Sequence, residues 1–463
     1  MTAYDVCVVG LGPAGISAAF ELSKRYKVLA IERGTNYVAR RCKLLAGSQK
    51  SCEGCGGECR VITGFGGAFC STSGGTLSLY PAGSSLSRYY HSDGELHNDY
   101  QEALQEWKHF SGDRLRFAGT GDEEKILQLS SKVSEAGGDY KHFNAYKIGQ
   151  EDLSRSAIAM EEVLSERVEI HFNTQLMSVC KDGSFWRINC LDGRCFLAKA
   201  ILFCTGRKGN SLVSKLLSEL GLDHRRTSIE VGVRVEMPSE ELEWLAQFHP
   251  DVKIKFRIQS EEVRTFCFCP NGKIIHFSQD DMNRSKSMDF LEGSIGGELT
   301  GRTNIAFLHR LNIGSTSQVW DFQKRFEERY LGVGGKVVAQ RFQDLGRDTF
   351  SPLPRESTIL DYRVGSVFSV LPRGSLHVIL EAITKFNQII GGNVLGDRTI
   401  ICAPEFGNFW PEVRVDKDFF TSVSGIFVAG DALGFIRGAL QASVTGLKAA
   451  RGIGLFLGKE ARQ

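Results

Sequence analysis

The stretch "YDVCVVGLGPAGISAAFELSKRYKVLAIERG", residues 4–34, decides how the rest of the chain is read. Residues 4–9 form a short apolar run suited to a buried strand, and Gly10, Gly12 and Gly15 follow at G-x-G-x-x-G spacing with Pro13 and Ala14 between them. An amphipathic helix comes next. Glycines there permit a tight turn, close approach of backbone to a pyrophosphate and close packing of helix on strand, while the helix N-terminus offers free N–H groups and the positive end of its dipole. A second strand ends in Glu32, 22 residues after Gly10, with Arg33 beside it. A carboxylate there can accept hydrogen bonds from a ribose diol. Strand, turn, helix, strand and acid in register predict a dinucleotide-binding α/β domain.

The chain has 463 residues, more than one ordinary core accommodates, so two interlocked domains are expected. Lysine and arginine number 56 against 54 aspartate and glutamate, a net charge of +2 that gives no bulk attraction to nucleic acid or to an anionic membrane. Neither is expected as a partner. No basic stretch followed by an apolar signal core precedes Tyr4, and the most apolar C-terminal segment, residues 439–458, is interrupted by Lys448 and Arg451. We therefore expect neither a secretory peptide nor a membrane span, and a cytoplasmic location. Thirteen cysteines, spread along the chain, fit free thiols in a reducing compartment.

Near the other end, "TSVSGIFVAGDALGFIRGALQASVTGLKAARGI", residues 421–453, reads as strand, Gly430-Asp431 and a glycine-punctuated helix. It resembles the second FAD signature of the large flavoprotein superfamily related to glutathione reductase. The resemblance implies FAD as cofactor, with Asp431 on the ribityl chain and the start of the last helix, Gly434 to Gln441 and including Gly438, at the flavin's pyrimidine edge. Arg437 would add positive charge there; a solvated surface arginine is the alternative. Between the two ends, residues 168–206 read as a β-meander with turns at Asp182-Gly183 and Asp192-Gly193. By the same resemblance the backbone at Leu176 lies along the adenine, and Thr205-Gly206 returns the chain to the cofactor.

Further blocks, "GFGGAFCSTSGGTLSL" (64–79), "CTGRKGNSLVSKLLSELG" (204–221), "VGVRVEMP" (231–238) and "VRTFCFCPNGKII" (263–275), resemble a family of largely uncharacterised bacterial FAD-dependent dehydrogenases. That resemblance sets Gly66 and Gly67 against the flavin. The chain also departs from the family: "STSGG" replaces a charged run, and "EFGNFWP" keeps Glu405 and Pro411 but has Gly407 in place of an arginine and adds Phe409 and Trp410. Loss of an anion clamp to glycine and two aromatics implies a flatter, more apolar substrate resting on Phe409 and Trp410. The competing reading puts both rings in the core.

The expected architecture is thus an α/β, Rossmann-like FAD-binding domain over residues 1–223, including a glycine- and cysteine-rich loop at 42–76, with an inserted α+β substrate domain at 224–350. Residues 351–463 complete the substrate domain and return to the FAD-binding domain. Within the insert, a two-residue turn at Asn271-Gly272 would face Cys267 across to His276, a thiol beside an imidazole. Cys267 is a candidate substrate contact, and His276 and Glu405 are candidate proton acceptors. No second strand-turn-helix glycine fingerprint appears in the insert, nor any His-Glu-x-x-His or Gly-x-Ser-x-Gly motif.

The function expected is hydride transfer between flavin N5 and a small, aromatic or apolar organic substrate, as a dehydrogenase or oxidase or as a double-bond reductase, with an external electron acceptor or O2 as a further partner. One alternative is a thiol–disulfide flavoenzyme using cysteines between 42 and 59. Another is a redox-responsive or RNA-associated flavoprotein. Cys52, Cys55 and Cys59 also have spacing compatible with zinc or an iron–sulfur cluster but lack a clear fourth ligand unless Cys42 or Cys70 folds back, so a structural loop is the reading preferred and no metal is expected.

Overall fold

The computed structural model describes residues 2–460 apart from 53–54, 56–57, 71–73, 120–121, 250, 281–285, 295–298, 392–393 and 408–410. Ala3–Val9 lies at the centre of a seven-stranded sheet, parallel to Val28–Ile31 on one side and to Cys195–Phe203 on the other. Val6, Cys7, Val8, Leu29 and Ala30 are wholly buried. Strands covered on both faces need continuous apolar runs, which is why this one reads as a run and not as an alternation. Cys195–Phe203 has two roles along its length: its first half pairs antiparallel with Phe185–Cys190 of the meander and its second half pairs parallel with Ile426–Val428. The return from residue 426 therefore delivers Gly430 and Asp431 to the same sheet end as Gly10. Helices Pro13–Leu22 and Ala439–Glu460 pack against each other there, so closely that a Cβ at Gly446 would come 2.1 Å from the Ala14 carbonyl oxygen.

The second body is an eight-stranded sheet whose four central strands are Ile400–Phe406, Ser228–Pro238, Arg302–Asn312 and Glu261–Cys269, in that order. Its edge strands come from as far apart as Gly138–Tyr140 and Arg363–Val364. Helix Ser375–Ile390 covers one face through Ile379, Ile383 and Phe386, the last with its ring 5.5 Å from that of Phe307. Helix Thr316–Gly332 begins in a capping box, Ser315 and Gln318 each accepting from the other's backbone amide.

One expectation fails here. Lys273–Asp280 does not fold back onto Glu261–Cys269; it pairs with Ser287–Ser294 in a separate ribbon, where His276 faces Leu291. The reason is that Glu261–Cys269 has no edge to offer, being bonded by Arg302–Asn312 on one side and Ile254–Ile258 on the other. Cys267 and His276 are therefore not cross-strand partners. Among the described residues no helix is long and apolar enough to cross a membrane.

Candidate functional site

A cavity of about 330 Å³ runs from the glycine turn of the first sheet to the inner strands of the second. At its nucleotide end the walls are largely backbone. Gly10 has φ 96°, and a Cβ on it would sit 2.6 Å from the Cys204 carbonyl oxygen, so no other residue fits without strain. Gly12, Pro13 and Ala14 line the cavity, with Gly12 at the N-cap of Pro13–Leu22 and no side chain capping the helix. Its first N–H groups are left for a ligand. Gly67 closes on this turn: a Cβ there would lie 2.9 Å from the Gly12 Cα. Gly66 is turned away toward Cys70, and Gly15 toward the Gly10 carbonyl, so neither is among the lining residues.

Glu32 and Arg33 also line this end. The Glu32 carboxylate accepts from Leu11 N at 2.8 Å, Gly34 N at 2.8 Å and Gly64 N at 2.9 Å. It thereby ties three backbone turns together, and a carboxylate's roughly four lone-pair sites leave room for a further donor. Leu176, Thr205 and Gly206 also line this wall.

The far end is built from charged side chains. Asp431 lies 3.5 Å from both Arg207 Nε and Arg437 Nη1, and Arg207 Nη1 lies 2.5 Å from Glu292 Oε2. The Arg437 side chain is 10% exposed and turned inward, its guanidinium donating to the carbonyls of Phe406 and Gly407, so it is not a freely solvated surface arginine. Burial, then the nearby Arg207 charge, pulls its pKa down to about 10. Burial alone would raise Glu292, but Arg207, Arg234 and Arg437 together hold it below the usual carboxylate range. Gly438, with φ 118°, leads into Ala439–Glu460, whose first turn, including Gln441, faces the cavity. Gln441 Nε2 is held by the carbonyl of Ser78 at 2.9 Å.

Two candidate proton acceptors stand outside the lining. Glu405 forms a bidentate pair with Arg234, Oε2 to Nε at 2.7 Å, with both side chains buried. Burial pushes Glu405 up to about 7 against the pull of Arg234. His276 instead faces Cys52, Asp289 and Asp361, with its Nε2 4.0 Å from Asp361 Oδ2, and burial lowers its pKa. Lys336 sits among the same carboxylates, 2.8 Å from Asp361 and 3.2 Å from Asp289. Of the cysteine loop, Cys59 Sγ accepts from Ser278 N at 3.4 Å and Cys52 N donates to Asp361 at 2.8 Å. Cys42, Cys52, Cys55 and Cys59 are not among the described lining residues, whereas Cys267 is. Phe409 and Trp410 lie outside the described residues.

Sequence reasoning missed Arg207, Arg234 and Glu292. A signal existed for Arg234, a lone arginine inside the apolar run "VGVRVEMP", since an unpaired charge is almost never buried. Arg207 directly follows Thr205-Gly206 in the sequence, which was itself a pointer. Glu292 carried no local signal.

No protein-family model matches the chain. A curated protein of Clostridium beijerinckii, described as uncharacterized, is 25% identical over 474 residues, covering 96% of this chain and 80% of that one. Among solved structures, glycine oxidase from Geobacillus kaustophilus matches with 14% identity and a TM-score of 0.38 over 98% of this chain and 95% of its own. A flavoprotein/dehydrogenase from Cytophaga hutchinsonii matches with 12% identity and a TM-score of 0.38 over 99% and 79%. The p-nitrophenol 4-monooxygenase PnpA from Pseudomonas putida matches with 11% identity and a TM-score of 0.36 over 98% and 78%. At these identities and scores the functional reading rests on the chain's own residues.

Proposed function

We propose that the chain is an FAD-dependent oxidoreductase acting by hydride transfer on a small organic substrate. The observation that carries this is a single cavity lined by both the Gly10–Ala14 turn with Glu32 and the Gly430-Asp431 turn with the start of Ala439–Glu460. A dinucleotide with a redox ring at one end needs both. The N-terminus of Pro13–Leu22 receives the pyrophosphate, Glu32 the ribose, Leu176 the adenine face and Asp431 the ribityl hydroxyls. Gly67 lets the backbone approach the cofactor where a side chain would block it.

Bound FAD supplies two-electron acceptance and donation at its ring. The N-terminus of Ala439–Glu460 and the Arg437 guanidinium stabilise negative charge at that end. Glu292, ionised and held by Arg207, presents a carboxylate to an amine or hydroxyl of the substrate from within the cavity lining, where His276 and Glu405, the proton acceptors expected from the sequence, do not stand. A bound substrate excludes water from this charged end and is held in one orientation against the cofactor, which is how the protein accelerates the step. An external acceptor or O2 completes the cycle.

Anaerobic mixing of the FAD-loaded protein with panels of amines, alcohols and aromatic reductants tests this. Loss of the oxidised flavin band with one of these classes, and its slowing in Glu292→Gln, is the expected result. Bleaching only by a nicotinamide donor would remove the substrate-to-flavin direction.

A further inference from the structure

The strand Glu261–Cys269 is broken by a bulge: Phe266 pairs with Ala306 and Cys269 with Asn304, so one residue too many stands between the two pairs. The strain falls on Cys267, whose φ is 48°, a conformation that non-glycine residues rarely adopt and that costs on the order of 1–3 kcal/mol. In a regular strand, alternate residues share a face but lie about 6.6 Å apart along it. Here the bulge brings Cys267 Sγ and Cys269 Sγ to 3.5 Å, with Cys269 Sγ also donating to the Cys267 carbonyl at 3.3 Å. Both cysteines line the cavity that holds Gly67 and Gly438; Cys267 is half-buried and Cys269 is 2% exposed. Arg234 secures the bulge by donating to the Cys267 carbonyl at 3.1 Å and to Asn304 Oδ1 at 2.7 Å. Gly293 gives the pair room: a Cβ there would lie 2.6 Å from Cys269 Sγ.

We propose that Cys267 and Cys269 are a redox pair that exchanges two electrons with the bound flavin, an inference that rests on the FAD reading above. The two thiols lose two protons and two electrons and form one S–S bond, and the electrons reduce FAD to FADH2 with uptake of two protons; the reverse step restores both thiols. Cys267, the more accessible sulfur, faces the cavity, and Cys269 closes the bond behind it. The pair gives the cavity a second two-electron store on the substrate side. The cysteines between 42 and 59 have no such position.

The test is an anaerobic reductive titration of the full-length, FAD-loaded protein, with maleimide labelling of the tryptic peptide 265–273, which contains both cysteines and no others. Wild type is expected to take up two electrons beyond the two the flavin takes. The peptide is expected to be unlabelled and lighter by two hydrogens before titration, and doubly labelled after it. Cys267→Ser and Cys269→Ser are expected to lose the extra electrons while keeping the flavin band. Ser replacement of Cys42, Cys52, Cys55 and Cys59 together is expected to leave them in place. A wild-type titration that ends with the flavin's own two electrons, or extra uptake that survives in Cys267→Ser, would overturn the pair. A protein with no flavin band would show instead that the underlying reading had failed.

Discussion

The two ends of the cavity are made of different material. At the nucleotide end, Gly10 and Gly67 offer backbone with no space for a side chain, and Glu32 fastens the turns together by accepting from their amides. At the other end, Arg207 and Glu292 come from separate segments to meet Asp431 and Arg437, which share one, and the cluster is backed by the buried pair Arg234–Glu405. A backbone cradle is specified by what must be absent. A charged cluster is specified by balance, and each member is costly only when its partner is removed.

The largest effect should come from unbalancing the charged end. Arg234→Met leaves Glu405 buried and unpaired, and is expected to cost about 3–5 kcal/mol in urea unfolding, with most of it recovered in the Arg234→Met, Glu405→Leu double variant. If the double variant is no better than the single, the pair holds the fold by geometry and not by charge balance.

The two bodies should also answer pH in opposite directions. Glu106, half-buried on helix Asp93–Ser111 beside Ser17, is pushed by desolvation from 4.5 up to about 7. Between those values the folded state holds the extra proton, so its contribution to stability falls as pH rises. His249, buried against Tyr140 and Phe143 in the second body, is pulled by burial from 6.5 down to about 4. Between those values the unfolded state holds the extra proton, so its contribution is lost as pH falls. Each shift is worth roughly 3 kcal/mol, so the two largely offset each other in wild type. Glu106→Gln should expose the His249 slope, with thermal stability dropping steeply below pH 6.5. A flat profile in that variant would mean that His249 stays neutral in neither state preferentially.

Overpacking the backbone end is smaller in energy but direct in function. Gly446→Val would drive a side chain into the Ala14 carbonyl, at an expected cost of about 1–3 kcal/mol and with loss of cofactor retention. Asp431→Asn is the mildest: it keeps the shape, and should weaken FAD binding about tenfold without changing the unfolding midpoint of the cofactor-free protein. An equal loss of stability would show that Asp431 serves the Arg207–Arg437 cluster first.

The same contrast explains what was legible in the sequence. Gly10, Gly12 and Glu32 follow local grammar, in which a strand end, a turn and a helix start are adjacent in the chain; Thr205, Gly206 and Asp431 were implied by the resemblance to a flavoprotein superfamily; all of them line one cavity. The Asn271-Gly272 turn misled because turn chemistry cannot show that both edges of Glu261–Cys269 are already taken. Glu292 and the bulge at Cys267 have no local signature. One depends on which ribbon a strand joins, and the other on a register slip set by Arg302–Asn312.

Whether this cavity holds FAD is read from the stoichiometry of cofactor released by heat from the purified protein, by absorbance and mass. One FAD per chain is expected in wild type, with a marked loss in Gly446→Val. A chain that carries no flavin after incubation with excess FAD, or that binds it equally well with the Gly446 crossing blocked, would contradict it.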